Sequence, residues 1–254
     1  MNRRLKTVWW DSDGPCVVMI PTWNERDNIA PLLDELLALP LPLVLLVVDD
    51  NSPDGTAEVV RGMAAEHSRV HLLVRQEGRG RGSAGIAGFR RALEMGAAIV
   101  VEMDADFSHQ PRHLPAMLAA LRRCDLVIGS RFVEGGADLD RGWLRRVITR
   151  LAGCYVRLIL GLSTRDVSSG YRCFRRAALE KLDLDQLQST GPSVVLEILY
   201  RTVLAGFRVV EVPIVFVDRH QGESKLNMRI LLQTLLMVAC IRFRPQSRHS
   251  QRSP

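Results

Sequence analysis

The chain predicts an α/β fold in which one mainly parallel, Rossmann-like twisted sheet carries helices on both faces. Three observations lead there. Short apolar, β-branched runs recur at residues 17–21, 43–48 and 98–103, near-continuously hydrophobic as strands buried on both faces are. Segments of helical periodicity separate them, so strand and helix alternate. Two of the runs end in carboxylates, Asp49-Asp50 and Asp104-Ala105-Asp106. Parallel pairing would set these acids side by side on the carboxyl edge of the sheet, where open α/β sheets bind ligands.

The elements follow in order. Residues 17–21 read as a first strand, and Ile29, Leu32, Leu33, Leu36 and Leu37 then recur at helical spacing behind the polar entry Asn24-Glu25-Arg26-Asp27. Residues 43–48 form a second strand; Ser52-Pro53-Asp54-Gly55 supplies turn chemistry, and Thr56 is placed to cap a helix running to about Glu66. A third strand is expected at 70–74, a helix at about 83–95 after a glycine-rich loop, a strand at 98–103, and a further helix leading to a strand at 126–129. Beyond Arg131 long apolar helices are expected at about 143–160 and 194–204, then one strand over 207–217.

The last periodic segment, 226–241, falls short of the ~20 apolar residues of a membrane span and is interrupted by Arg229 and Gln233. It is expected as an amphipathic helix along a membrane surface, with a helix docked on the core as the alternative. The polar residues after it are expected to be disordered. The domain expectation is an extension over 1–14, one catalytic domain over 15–225, the amphipathic helix over 226–242 and a tail over 243–254.

At 254 residues and 47% hydrophobic, the chain has enough apolar material for one large core. Cys16, Cys124, Cys154, Cys173 and Cys240 are odd in number and scattered, without the close pairs of a zinc site or disulfide framework, and read as reduced packing residues of a cytosolic protein. The basic start around Arg3, Arg4 and Lys6 runs into Trp9, Trp10, Asp11 and Asp13 rather than an apolar core, so no signal peptide is expected. The net charge is +6, with Lys6, Lys181 and Lys225 as the only lysines among 34 cations. With aromatics at 6% and no zinc-finger spacing, nucleic acid is not the expected partner. An anionic membrane surface or a phosphorylated substrate suits the charge better. A high arginine content without function is the alternative.

Three constellations carry chemistry. Asp104 and Asp106, one residue apart just past a strand, are hard oxygen donors suited to Mg2+ or Mn2+ bridging a diphosphate, although a solvated acidic turn is the common reason for such a pair. Asp49-Asp50 ends another strand, where a carboxylate can meet a nucleoside base or ribose, or stabilise an Asx turn. Gly80-Arg81-Gly82-Ser83-Ala84-Gly85 fits a dinucleotide fingerprint, yet it follows the third strand rather than the first, and Arg79 and Arg81 could instead meet phosphate. Downstream, Arg131, Arg219 and Lys225 are cations on expected sheet-edge loops that could gather around phosphate.

Taken in order, Pro21-Thr22-Trp23-Asn24-Glu25-Arg26, VVDDNSPDGT, DADFSHQP, GSRF and FVDRHQGESKLN resemble the dolichyl-phosphate and polyprenyl-phosphate mannose synthases, inverting glycosyltransferases with a GT-A fold; the resemblance spans about residues 16–230. It implies that Pro21, Trp23, Glu25, Val48 and Asp50 hold a nucleotide, with Trp23 in a place usually filled by tyrosine. It implies that Ala105 lines the diphosphate beside Asp104 and Asp106 at a Mg2+ or Mn2+ ion. Arg131, Arg219 and Lys225 would bind the phosphates of donor and lipid acceptor. Ser108 stands where some relatives carry a metal-contacting glutamine, and Val195 replaces a polar residue often seen before the glutamate matched by Glu197.

The implied reaction moves mannose from GDP-mannose to a polyprenyl monophosphate with inversion, catalysed with Asp104, Asp106 and Arg131. It would be carried out by a peripheral protein on the cytoplasmic face of a membrane, alone or with an integral membrane partner. A UDP-sugar donor on the same lipid class is the alternative. A non-catalytic scaffold that binds nucleotide or membrane is a second.

Overall fold

A computed structural model describes residues 14–139, 142–187, 189, 191, 193–217 and 228–243. The first half alternates as expected: β1 (Cys16–Thr22), α1 (Arg26–Ala38), β2 (Leu43–Asp49), α2 (Thr56–Glu66), β3 (Val70–Val74), α3 (Arg81–Glu94), β4 (Ile99–Glu102), α4 (Leu114–Ala120) and β5 (Leu126–Ser130). There follow β6 (Ala137–Leu139), α5 (Trp143–Leu160), β7 (Arg172–Arg175), α6 (Arg176–Lys181), α7 (Val194–Leu204), β8 (Val209–Pro213), β9 (Val215–Val217) and α8 (Met228–Phe243).

The seven-stranded sheet runs β3-β2-β1-β4-β7-β5-β8. Every pairing is parallel except those of β7, which is antiparallel to both β4 and β5. Period-two alternation along β1 sends Val18 and Ile20 to one face, where they join Ile29, Leu33 and Leu36 of α1 and Leu114 and Met117 of α4. It sends Val17 and Met19 to the other, with Ala84 and Phe89 of α3, Val156 of α5 and Leu199 of α7. Both faces are therefore covered, which is why the strand sequences look hydrophobic throughout. Gly88 lets α3 lie directly on the sheet, since a Cβ there would fall 2.4 Å from Met19 Cγ.

Two expectations need correcting. Residues 207–217 do not make one strand: Pro213 has no N–H to continue a ladder, and the chain passes at Ile214 from β8, paired with β5, to β9, paired with β6 in a separate two-stranded sheet. The sequence reading also missed β7, because Arg172 breaks its apolar pattern. That arginine is fully buried and donates to the carbonyls of Ser169, Val195 and Val167 at 2.7, 2.6 and 2.9 Å. Burial pulls its guanidinium down to about 10, the carboxylate of Glu102 opposing.

The packing role expected of the cysteines is met by Cys16, Cys124 and Cys173, which are buried, but not by Cys154 and Cys240, which are exposed on α5 and α8. Thr56 is the first residue of α2 rather than its cap; its N–H and hydroxyl donate to Asp54 Oδ1 at 3.0 and 2.6 Å. Among the described residues no helix is long and apolar enough to cross a membrane.

Candidate active site

The carboxyl ends of β1, β2 and β4 converge, and a side-chain network ties their loops together. Asp49, fully buried, accepts from Thr22 Oγ1 (2.9 Å) and from the N–H and hydroxyl of Ser52 (2.8 and 2.6 Å). Ser52 Oγ accepts from the Asn24 N–H at 3.0 Å, and Thr56 Oγ1 from the Glu25 N–H at 3.0 Å. Asp49 is thus the scaffold member of the acidic pair. Asn24, Asn51 and Phe107, one in each loop, adopt left-handed backbone at φ 58°, 59° and 60°. Asparagine tolerates that conformation; for a phenylalanine beside Asp106 it is strained.

These loops enclose a cavity of about 400 Å3 lined by Pro21, Thr22, Trp23, Glu25, Asp50, Arg79, Gly80, Arg81, Ala84, Asp104, Ala105 and Asp106. Nine residues singled out from the sequence, namely Pro21, Trp23, Glu25, Asp50, Arg79, Arg81, Asp104, Ala105 and Asp106, are thereby brought together. Val48 is not among the lining residues; its side chain is fully buried in the core on the α3 side of the sheet.

Asp50 faces the cavity but is already engaged by the chain, pairing with Arg75 and accepting from the Gly80 N–H at 2.8 Å. Arg75 in turn donates to the Gly78 carbonyl at 2.8 Å, so this carboxylate shapes the glycine-rich loop. One consequence is that Arg79 lies 4.8 Å over the ring of Trp23, a cation–π contact at the cavity mouth. Another is that Arg81 donates to Asp104 Oδ1 at 2.7 Å.

The second acidic turn is held from beneath. The Asp104 N–H donates to His109 Nδ1 at 2.9 Å, while Asp106 Oδ1 accepts from the Ser108 hydroxyl and N–H at 2.5 and 3.1 Å. His109 is buried, stacked on Tyr171 at 5.1 Å and edge-on to Phe216 at 5.9 Å. An accepting Nδ1 requires an imidazole unprotonated there, and burial pushes its pKa down, with Asp104 opposing. Glu102, at the end of β4, is buried and its carboxyl is pushed up, with Arg81 and Arg172 offsetting part of that.

Arg131 lies elsewhere. Its guanidinium grips buried Asp166 through Nε and Nη2, both at 2.7 Å, reaches Ser168 Oγ at 2.8 Å, and sits 5.1 Å from each of the Phe132 and Phe216 rings. It lines a neighbouring cavity of about 250 Å3 with Phe132, Gly136, Ala137, Asp138, Leu139, Arg146 and Arg150. Sequence reasoning missed His109, Arg146 and Arg150. The i,i+4 spacing of the two arginines on an expected helix was the available signal. Arg219 and Lys225 lie outside the described residues.

The apolar surface is broader than the C-terminal helix anticipated from the sequence. Along α5, Leu144, Val147, Leu151 and Leu158 are 55%, 44%, 66% and 77% exposed, a stripe at helical spacing that starts beside exposed Trp143. Helix α8 packs beside it, with Val238 buried, Leu232, Leu236 and Phe243 exposed, and the Leu235 carbonyl accepting from Tyr155 Oη at 3.3 Å. The two helices contain Arg145, Arg146, Arg150, Arg157, Arg229 and Arg242 and no acidic residue.

Residues 17–183 match the family described as glycosyl transferase family 2. The chain is 43% identical over 222 residues to the undecaprenyl-phosphate mannosyltransferase of Micrococcus luteus, covering 87% of this chain and 91% of that protein. It is 42% identical over 226 residues to the polyprenol monophosphomannose synthase of Mycolicibacterium smegmatis, covering 88% and 85%. Among solved structures, a mannosyltransferase from Pyrobaculum calidifontis in complex with GDP-Man and Mn2+ superposes with a TM-score of 0.60 at 22% identity, over 91% of this chain and 66% of that one. At that identity the likeness concerns the fold.

Proposed function

The chain belongs to glycosyl transferase family 2, and from that premise we propose that it transfers mannose from GDP-mannose to a polyprenyl monophosphate, inverting the anomeric carbon, with Mg2+ or Mn2+ at Asp104 and Asp106. The observation that carries the reading is a pair of cavities joined by packed side chains: one at the sheet edge bearing Asp50, Asp104 and Asp106, the other bearing Arg131, Arg146 and Arg150, with His109 bonded to the Asp104 N–H on one side and packed on Phe216, the ring beneath Arg131, on the other. The names of the two relatives, both mannosyl transfer to a polyprenyl carrier, support the acceptor class.

The residues fit a divalent cation of a particular kind. Asp104 and Asp106 are hard donors on one turn, and among the described residues no group of three His, Cys, Asp or Glu forms a complete metal cage. Such a pair suits Mg2+ or Mn2+ bound by one or two carboxylates and completed by substrate phosphates. When bound, the ion supplies positive charge to the leaving diphosphate.

The remaining work belongs to the chain. Pro21, Trp23, Glu25 and Asp50 hold the nucleoside, with Ala105 against the diphosphate and Val48 supporting them from the core. Arg131, Arg146 and Arg150 receive the acceptor's phosphate, joined in this proposal by Arg219 and Lys225. A phosphomonoester has its second pKa near 6 and is largely dianionic at neutral pH, so the nucleophile arrives ionised and no general base is required. Catalysis then rests on holding two anionic reactants in line and screening their repulsion. Asp166 fixes the angle at which the Arg131 guanidinium is offered, and the Phe132 and Phe216 rings keep it from swinging.

The apolar stripe of α5 and α8, flanked by arginines without acids, docks the protein on an anionic lipid surface, a peripheral placement on the cytoplasmic face. An integral partner is not needed for that docking.

Calorimetry of the purified protein with GDP and with UDP, each with Mn2+, tests the donor, and release of GDP from GDP-mannose on adding polyprenyl phosphate tests the reaction. We expect GDP to bind more tightly and its release to require the lipid. Preference for UDP would move the donor to a UDP-sugar; tight nucleotide binding without sugar transfer would favour a scaffold.

A further inference from the structure

Arg81 opens α3 and reaches across the cavity to Asp104, the carboxylate assigned above to the divalent cation. This contact is built into the fold. Gly170, on the loop before β7, leaves the space in which the guanidinium lies, for a Cβ at Gly170 would stand 2.2 Å from Arg81 Nη2. The Asp50–Gly80 hydrogen bond fixes the loop immediately before Arg81.

We propose that Arg81 is a resident counter-cation for Asp104, which keeps a divalent ion from binding alone and passes to the diphosphate when nucleotide and ion arrive together. The proposal rests on the donor and metal reading above and adds to it the order in which the ligands are accepted. Without nucleotide, an incoming Mn2+ meets a carboxylate already neutralised by a guanidinium at 2.7 Å, and no third carboxylate or imidazole completes its shell among the described residues. A diphosphate changes both terms. Its oxygens would supply further hard donors for the ion and would offer the displaced guanidinium a new anion, so cation and nucleotide would reinforce each other. Arg81 is therefore a positioning residue toward the ion and a binding residue toward the diphosphate.

Two substitutions separate these roles. Arg81→Gln removes the guanidinium altogether. Gly170→Ala keeps it but pushes it off Asp104, and because the obstructed atom is the far end of a flexible side chain the fold is retained. Calorimetry reads Mn2+ alone, GDP alone, and Mn2+ at saturating GDP, with UDP replacing GDP if the donor titration selects it. Both variants should bind Mn2+ alone about tenfold tighter than the wild type. Only Arg81→Gln should also lose about tenfold in nucleoside diphosphate affinity, while guanosine binds all three proteins alike.

If both variants bind Mn2+ alone no better than the wild type, while the wild type retains cation-assisted GDP affinity, the role of Arg81 is overturned and the donor reading stands. If the wild type itself has no cation-assisted affinity for either nucleotide, both fall. An Arg81→Gln chain that fails to fold leaves the decision to Gly170→Ala.

Discussion

Asp49 and Asp50 are chemically identical neighbours with opposite fates. Asp49, turned inward, ties the β1 and β2 loops together through Thr22 and Ser52; Asp50, turned outward, sets the glycine-rich loop through Arg75 and Gly80. Side-chain direction follows strand alternation, so which acid would be structural was not written in the dipeptide. The Asp104–Asp106 pair was easier to read, because a one-residue gap on a turn leaves both able to line a cavity, as they do. Asp106 accepts two hydrogen bonds from Ser108, and an amide can keep accepting them through its oxygen. Asp106→Asn should therefore leave the thermal midpoint within about 2 °C of the wild type while cutting metal-dependent transfer by about 100-fold or more. Turnover within a factor of two of the parent, measured on purified protein, would remove this residue from the site.

At the scale of elements, the strands and helices of the first half were legible because each obeys one period. The second half was less so. Arg172 disguises β7 as a loop, and Pro213 divides what reads as one strand into two that belong to different sheets. Helix α5 was found by its spacing, but its outward stripe was not anticipated, since periodicity reports an apolar face without saying whether the core covers it. Here the core takes Val156 and Leu160 and leaves Leu144, Leu151 and Leu158 uncovered. Replacing those three leucines with glutamine should leave stability nearly unchanged, because each residue is more than half exposed. It should also reduce flotation with anionic liposomes about tenfold or more, as several large apolar side chains at ~1.5–3 kcal/mol each are withdrawn from the bilayer interface. Undiminished flotation would move the docking surface away from α5.

For the whole molecule, two histidines resist protonation: His109, buried beneath the acidic turn, and His113, half-buried, whose Nε2 accepts from the Val215 N–H. Burial pushes His109 and His113 below the ordinary value, His113 also feeling Arg112. In the unfolded chain both take a proton near about pH 6.5, whereas in the fold they resist it, so acid favours unfolding. Stability should be complete above that pH and fall as pH drops through it, before the carboxylates begin to titrate below about 5. For fully enclosed His109 the slope is at most about 1.4 kcal/mol per pH unit. Urea midpoints at pH 7.5 and 5.5 measure this, and His109→Asn, which keeps an acceptor for the Asp104 N–H, should flatten the dependence. An unaltered pH profile in that variant would assign the acid sensitivity elsewhere.

The reversed strand β7 has an effect on spacing as well as on topology. By lying between β4 and β5 it holds the ends of those strands two ladder widths apart, roughly 10 Å at about 4.8 Å per step. Asp104 follows the first of them and Arg131 the second. Had β4 and β5 been direct neighbours, Arg131 would have been crowded against an acid that Arg81 already pairs with. The interposed strand works as a shim, leaving Arg131 to its own partner in Asp166, and in the proposed reaction the interval it opens is the room left for the hexose to pass from one anion to the other.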